Sequence, residues 1–311
     1  MNDTLQSAVD ADVEAARAFA IEPAAHGAHV APVSDDDVPY MQRERRFAGL
    51  PVSAWPRLLA PVVLGFLFLA LWTAVVRMRH IQPYILPEPL LIARTLVTDW
   101  STLAGSLWIT LSISLAALTA AVVVGLLLAV LFTQSKWLEL SLFPYAIVLQ
   151  VTPIVAIAPL IIIWADNVKL SLLICAWLVA FFPILSNTTL GLNSADHNLV
   201  NLFQLYRASR WQTLWNLRLP AAMPYFLGGM RISGGLSLIG AVVAEFVAGT
   251  GGTESGLAYR ILESGYQLKI PRMFAALTLV SLCGVVIFIG LSLVSHFALR
   301  RWHDSAMRRE N

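Results

Sequence analysis

The chain has 311 residues, 58% of them hydrophobic and 13% charged, with a mean hydropathy of +0.70. A soluble domain carries about a quarter charged residues, so this composition excludes an ordinary water-soluble globule and points to an all-α membrane protein. A formal charge of +2, with no basic run interleaved with aromatics, argues against nucleic acid as a partner.

Residues 1–50 are polar, include the Asp35-Asp36-Asp37 run, and read as a mostly disordered cytosolic arm ending in the basic collar Arg43, Arg45 and Arg46. No apolar core follows Met1, so no secretory signal is expected. Residues 51–302 read as a membrane domain of six spans, and 303–311 as a cytosolic tail. The first span is placed at 58–76, since a bilayer core takes roughly 20 apolar residues. It is closed by Arg77 and Arg79 and followed by the proline-rich Leu86-Pro87-Glu88-Pro89 and a short amphipathic helix through Thr98.

The second span, 103–132, lacks charge and is ~45 Å long at helical rise, so it must tilt or protrude. The third, 140–165, contains Pro144, Pro153 and Pro159, which a span tolerates where it packs in protein or lines a cavity. The fourth, 170–193, carries Pro183 and the polar Asn187-Thr188-Thr189. The fifth and sixth are placed at 225–247 and 273–299, with a Gly-rich segment and a short helical pattern at Leu257, Ile261 and Leu262 between them. Cys175 and Cys283 fall inside spans and read as small core residues.

Residues 193–224 form a polar interruption between the fourth and fifth spans. Leu199, Leu202, Phe203 and Tyr206 share one helical face, and Trp211, Leu214, Trp215 and Leu217 build a second amphipathic piece. Leu219-Pro220 and Met223-Pro224 are expected to end it. So much aromatic and basic surface implies docking on a cytosolic partner.

This loop resembles that of the permease subunits of ABC importers, which have a Glu-Ala-Ala start, a glycine a few residues on and a closing Leu-Pro. Ala208-Ser209-Arg210-Trp211 and Leu219-Pro220 match the second half. Asn201, Leu202 and Phe203 stand where Glu-Ala-Ala would be, and Arg207 where the glycine would be. Leu86-Pro87-Glu88-Pro89, Gln150 with Pro153 and Pro159, Phe182-Pro183 and Ala244-Glu245 resemble the nitrate, sulfonate and taurine branch, and pyrimidine-precursor and riboflavin relatives fit almost as well. The resemblance implies a type I importer fold with six transmembrane helices and a cytoplasmic coupling loop. It also implies ATPase subunits that bind ATP and Mg, a second permease copy, an external substrate-binding protein, and a bacterial inner membrane location. This chain would bind no cofactor itself. The coupling residues it implies are Asn201, Leu202, Phe203, Tyr206, Arg207, Ala208, Ser209, Arg210, Trp211, Leu219 and Pro220.

With the N-terminus in the cytosol, basic residues concentrate inside, at Arg43 to Arg57, Lys136, Arg207, Arg210, Arg218, Arg231 and Arg300 to Arg309. Both termini and the loop then face the cytosol. Gly249 to Gly256 has no lysine before its Ser or Thr, and so reads as an outer turn rather than a phosphate loop. The histidines show no metal-ligand clustering beyond His26 and His29 in the arm. No catalytic set is apparent, so the chain reads as a translocation subunit and not an enzyme. Gly229, Ser233, Ser237 and Ala241 form a ladder of small residues that either packs helices or leaves room for a path. Glu245 extends it, either on that path or as an interfacial carboxylate paired with Arg260 or Arg272. Gln150, Thr152, Asn187 and Thr188 are further candidates for lining the path. A secondary transporter and a membrane scaffold remain the other classes.

Overall fold

A computed structural model describes residues 46–47, 50–51, 55–249 and 255–300. The expected disordered arm and cytosolic tail lie almost wholly outside these residues, as does most of the Gly-rich turn. The chain divides between Leu64 and Gly65 into two units. The first contains a two-residue antiparallel bridge, β1 (Arg46–Phe47) with β2 (Leu50–Pro51), and the opening turns of α1 (Trp55–Met78).

In the second unit, α1 continues from Gly65 with Phe66, Leu67, Phe68 and Leu71 exposed, as hydrocarbon-facing side chains would be. Its Trp72 packs at 6.1 Å on Phe274. A bend then brings Arg77 onto Glu88 at 3.0 Å, and that hydrogen bond holds the Glu88 carboxyl below its ordinary value. Helix α2 (Pro89–Thr98) starts on its own proline, where a missing N–H has no partner to lose. Next come α3 (Trp100–Gln134), α4 (Lys136–Val151), α5 (Ile154–Ala165) and α6 (Val168–Asn193).

Among the described residues five helices are long and apolar enough to cross a membrane, and α4 with α5 makes a bent pair that brings the number to six if it counts as one broken span. The sequence places the third span as one helix; instead it bends by 102° at Thr152–Pro153. The reason is local. Thr152 is extended (ψ 123°), as a residue before proline prefers. Only Ala146 and Ala158 of this span are buried, so little packing holds its carbonyls in line. Pro144 and Pro159 sit inside their helices and break neither.

The opposite correction applies before the fifth span. The sequence predicts that Pro220 and Pro224 end the preceding helix, yet the stretch Arg210–Ala248 is one helical run. Helix α8 (Arg210–Thr213) widens into a π-helical turn, Leu214–Arg218, and continues as α9 (Leu219–Ala248). In that turn the Leu219 N–H reaches back five residues to the Leu214 carbonyl. The shifted hydrogen-bond register admits Pro220 at the start of α9, and Pro224 is carried within a well-packed helix.

The core lies where α3, α6 and α9 meet. Gly229 and Gly240 bring α9 against α6, and a Cβ on Gly240 would stand 2.8 Å from the Ala176 Cα. At one end Phe132, Ile184, Leu192, Leu214 and Ala222 form a cluster. At the other, Leu103, Leu257, Ala275 and Leu279 join α3 to α10 (Leu257–Tyr266) and α11 (Ile270–Leu299).

Candidate coupling and translocation site

The loop begins at α7 (His197–Leu205), whose first turn is capped by the Asp196 carboxylate accepting from the Asn198 N–H at 2.7 Å. The Arg207 N–H donates to the Gln204 carbonyl and the Ala208 N–H to the Phe203 carbonyl, both at 2.9 Å. That bond pair is a helix stop whose residue after the cap is left-handed, and Arg207 has φ 54°. A glycine is therefore the natural occupant of the position that arginine fills here. Two residues on, Ser209 opens α8 with a capping box: its hydroxyl accepts from the Gln212 N–H, and the Gln212 side chain accepts from the Ser209 N–H.

Two arginines fasten the loop to the end of α3, Arg210 to the Gln134 carbonyl and Arg218 to the Thr133 carbonyl. Leu214 and Leu217 turn inward and are buried. Much of what remains outside is apolar or aromatic: Leu205 and Tyr206 are each 81% exposed, Trp215 66% and Trp211 61%, beside Leu199 and Leu202. Asn201, Arg207, Ser209 and Arg210 are exposed among them, while Phe203, Ala208, Leu219 and Pro220 are half-buried. A cluster of this kind at the end of a membrane bundle is what an interaction surface looks like.

The path candidates separate into two groups. Gln150 and Thr152 line a cavity of about 300 Å³ at the break in the third span, together with Ile154, Ile157, Val179 and Leu236. Its lining is uncharged. Asn187, Thr188, Ser233, Ser237 and Glu245 lie instead in helix–helix contacts. The Asn187 amide donates to the Pro183 carbonyl at 2.8 Å and Ser233 to the Ala180 carbonyl at 2.6 Å. Ser237 donates to the Gly234 carbonyl at 3.0 Å, and Thr188 is fully buried. The small-residue ladder is thus the packing face of α9. The open face of the same helix carries Tyr225, Ile232, Gly235, Ile239 and Phe246.

Glu245 is 3% exposed, and neither predicted arginine holds it. Its carboxylate accepts from the Thr110 hydroxyl at 2.8 Å and from the Ala258 N–H at 3.0 Å. Arg260 reaches Ser106 and Glu263, and Arg272 pairs with Asp99. One backbone N–H at the start of α10 and one hydroxyl supply the carboxylate with donors, and neither is a cation. Sequence reading missed Thr110, because one hydroxyl in a long apolar helix carries no signal of its partner. It also counted Arg231 only toward the basic inner face; the guanidinium crosses from α9 to the Ser295 hydroxyl of α11. Among the described residues no His, Cys, Asp and Glu cluster could hold a metal.

Comparisons with known proteins agree with this architecture. Residues 121–309 match the family described as binding-protein-dependent transport system inner membrane component. The riboflavin transport system permease protein RibX of Chloroflexus aurantiacus is 34% identical over 273 residues, 86% of this chain and 98% of RibX. The formylaminopyrimidine transport permease protein ThiX of Halalkalibacterium halodurans is 31% identical, over 78% of this chain and 95% of that one. A putative aliphatic sulfonates transport permease protein, SsuC of Bacillus subtilis, is 30% identical over 84% and 92%. The fold matches a crystal structure of an amino acid ABC transporter at TM-score 0.54 and 16% identity, covering 67% of this chain and 97% of that one. The bundle of apolar helices, the helical loop within it and the family match converge: the chain belongs to the inner-membrane components of binding-protein-dependent transport systems and is a permease subunit of an ABC importer.

Proposed function

We propose that the loop 193–224 faces the cytosol and docks on the ATPase, and that the helix running from Arg210 to Ala248 carries the ATPase's movement across the membrane. The observation that carries this reading is the continuity of that helix from the exposed Trp211 to the buried Glu245. The anchors are Phe203, Tyr206 and Trp211, since buried aromatics dominate interface energies. The ATP and Mg belong to the partner chain.

A second copy of this chain covers the open face of α9, and the solute passes between the copies along that face. Leu236 of α9 also lines the cavity holding Gln150 and Thr152, so face and cavity are continuous. The uncharged lining favours a neutral, ring-containing solute of the riboflavin or aminopyrimidine kind. The two relatives named for such solutes point the same way. An organic sulfonate is the second reading, supported by the sulfonate relative; Arg231, the cation nearest in sequence on α9, turns to Ser295 and not to the cavity.

The test is a Phe203→Ala/Tyr206→Ala double variant. It should insert and fold normally but lose ATPase affinity by at least about thirtyfold, the size of one hot-spot residue of roughly 2 kcal/mol. Unchanged copurification of the ATPase and unchanged uptake would refute the docking assignment.

A further inference from the structure

The environment of Glu245 does more than bury a carboxylate. It joins three elements at the end of the bundle away from the coupling loop. The Leu257 N–H donates to the Thr110 hydroxyl at 2.9 Å, and that hydroxyl donates onward to Glu245 Oε1 at 2.8 Å. The Ala258 N–H donates to Glu245 Oε2 at 3.0 Å. Two of the N–H groups that the start of α10 leaves without helical partners are therefore satisfied by one carboxylate, directly and through one hydroxyl. A negative group is also favourable at that end of a helix dipole.

The cap of α10 is Gly256, and a Cβ there would overlap the Glu245 carboxyl group itself. Glycine at 256 is required so that the carboxylate can lie flat on the backbone. Thr110, Leu257 and Ala258 are fully buried, so water cannot replace any of these bonds while α10 is seated.

We infer that Glu245 is a positioning residue: it clamps the N-terminus of α10 to α9 and α3, so that α10 is carried by the fifth span when that span moves. The assignment rests on the proposed function for the motion, since the moving element is α9. The clamp itself is read from the bundle as it stands. Helix α10 also packs on α11 through Leu257 against Ala275 and Ala276, so the clamp is the polar half of its seat and the apolar contact the other half.

The experiment measures whether α10 lifts. Ser264 of α10 is 1% exposed and its hydroxyl is without a partner, so Ser264→Cys is a quiet reporter that a membrane-impermeant maleimide reaches only when α10 opens. With Cys175→Ala and Cys283→Ala as background, Glu245→Ala and the isosteric Thr110→Val should each raise the labelling rate roughly tenfold or more. That is the size expected for loss of a hydrogen bond to a charged group. Thr110→Ser, which keeps the hydroxyl, should label at the parent rate. Gly256→Ala should label fast although every hydrogen-bonding group remains.

Equal labelling of Thr110→Ser and Thr110→Val would overturn the clamp, because side-chain shape rather than the hydroxyl would then govern the seat. Parent-rate labelling of Glu245→Ala would overturn it too. ATPase copurification, followed in the same preparations, should stay unchanged in all four variants. Its loss in the Phe203→Ala/Tyr206→Ala protein reports on the docking reading separately.

Discussion

In the third span Thr152–Pro153 parts α4 from α5 at 102°, whereas Arg210–Ala248 runs as one helical stretch past Pro220 and Pro224. Both carry proline, and composition alone does not tell them apart. The difference lies in what surrounds them. The fifth span buries residues on nearly every turn, from Ala222 to Glu245, and is held by α3, α6 and α11. The third span exposes Tyr145, Val148, Val151 and Val155 and has a cavity at its break. The well-packed run takes Pro220 after one wide turn and carries Pro224 within it; the sparsely packed span folds at Pro153, while Pro144 and Pro159 stay inside its two helices. The bundle therefore contains a rod and, beside it, a bent span with a cavity at its break.

The rod can be broken where packing plays no part. Asn216 is exposed within the π-helical turn, so Asn216→Pro removes helical continuity and little else, at about 3 kcal/mol. The expected outcome is near-complete loss of uptake with the ATPase still bound, while Asn216→Ala transports normally. Transport by the proline variant would mean that the loop and the fifth span need not move as one body.

The two faces of the rod give the next contrast. Gly240 leaves no room on its packed side, so Gly240→Leu should lower the thermal midpoint in detergent by the equivalent of about 1–3 kcal/mol. Gly235 has nothing within 4 Å. Gly235→Leu should keep the midpoint of the single chain and instead impair pairing with the second copy or passage of solute, read by crosslinking between copies and by uptake.

The smallest effect is at the loop turn. A non-glycine residue in the left-handed region costs about 1–2 kcal/mol, and glycine returns roughly half of that through its freedom in the unfolded chain. Arg207→Gly should therefore stabilise by about 0.5 kcal/mol, visible as a small rise in thermal midpoint. A clear fall would mean that the Arg207 side chain contributes to the fold.

How much of this was legible in the residues follows from the same contrast. The long helices were readable because a bilayer demands long uncharged runs: 103–132 and 273–299 lie within the observed helices 100–134 and 270–299. The fate of each proline was not readable, since it depends on neighbours distant in sequence. Glu245 stood out as a carboxylate in an apolar helix, and its burial followed from cost alone. Its partners did not, because donors from a backbone and from Thr110 leave no trace in composition, whereas arginines are conspicuous and drew the pairing wrongly. Arg207 was placed by the likeness of its loop to a family pattern. Only the backbone angle explains in physical terms why that pattern has glycine there.

The central claim is that the polar insert before the fifth span meets the ATPase in the cytosol and passes its movement to that span. Leu205 is 81% exposed at the tip of α7, and Leu205→Cys in the cysteine-free background tests the claim directly. A membrane-impermeant maleimide should leave it unlabelled in intact cells, label it in inverted vesicles stripped of the ATPase, and be blocked there when the ATPase is restored. Labelling from outside intact cells, or no protection by the ATPase, would contradict the account.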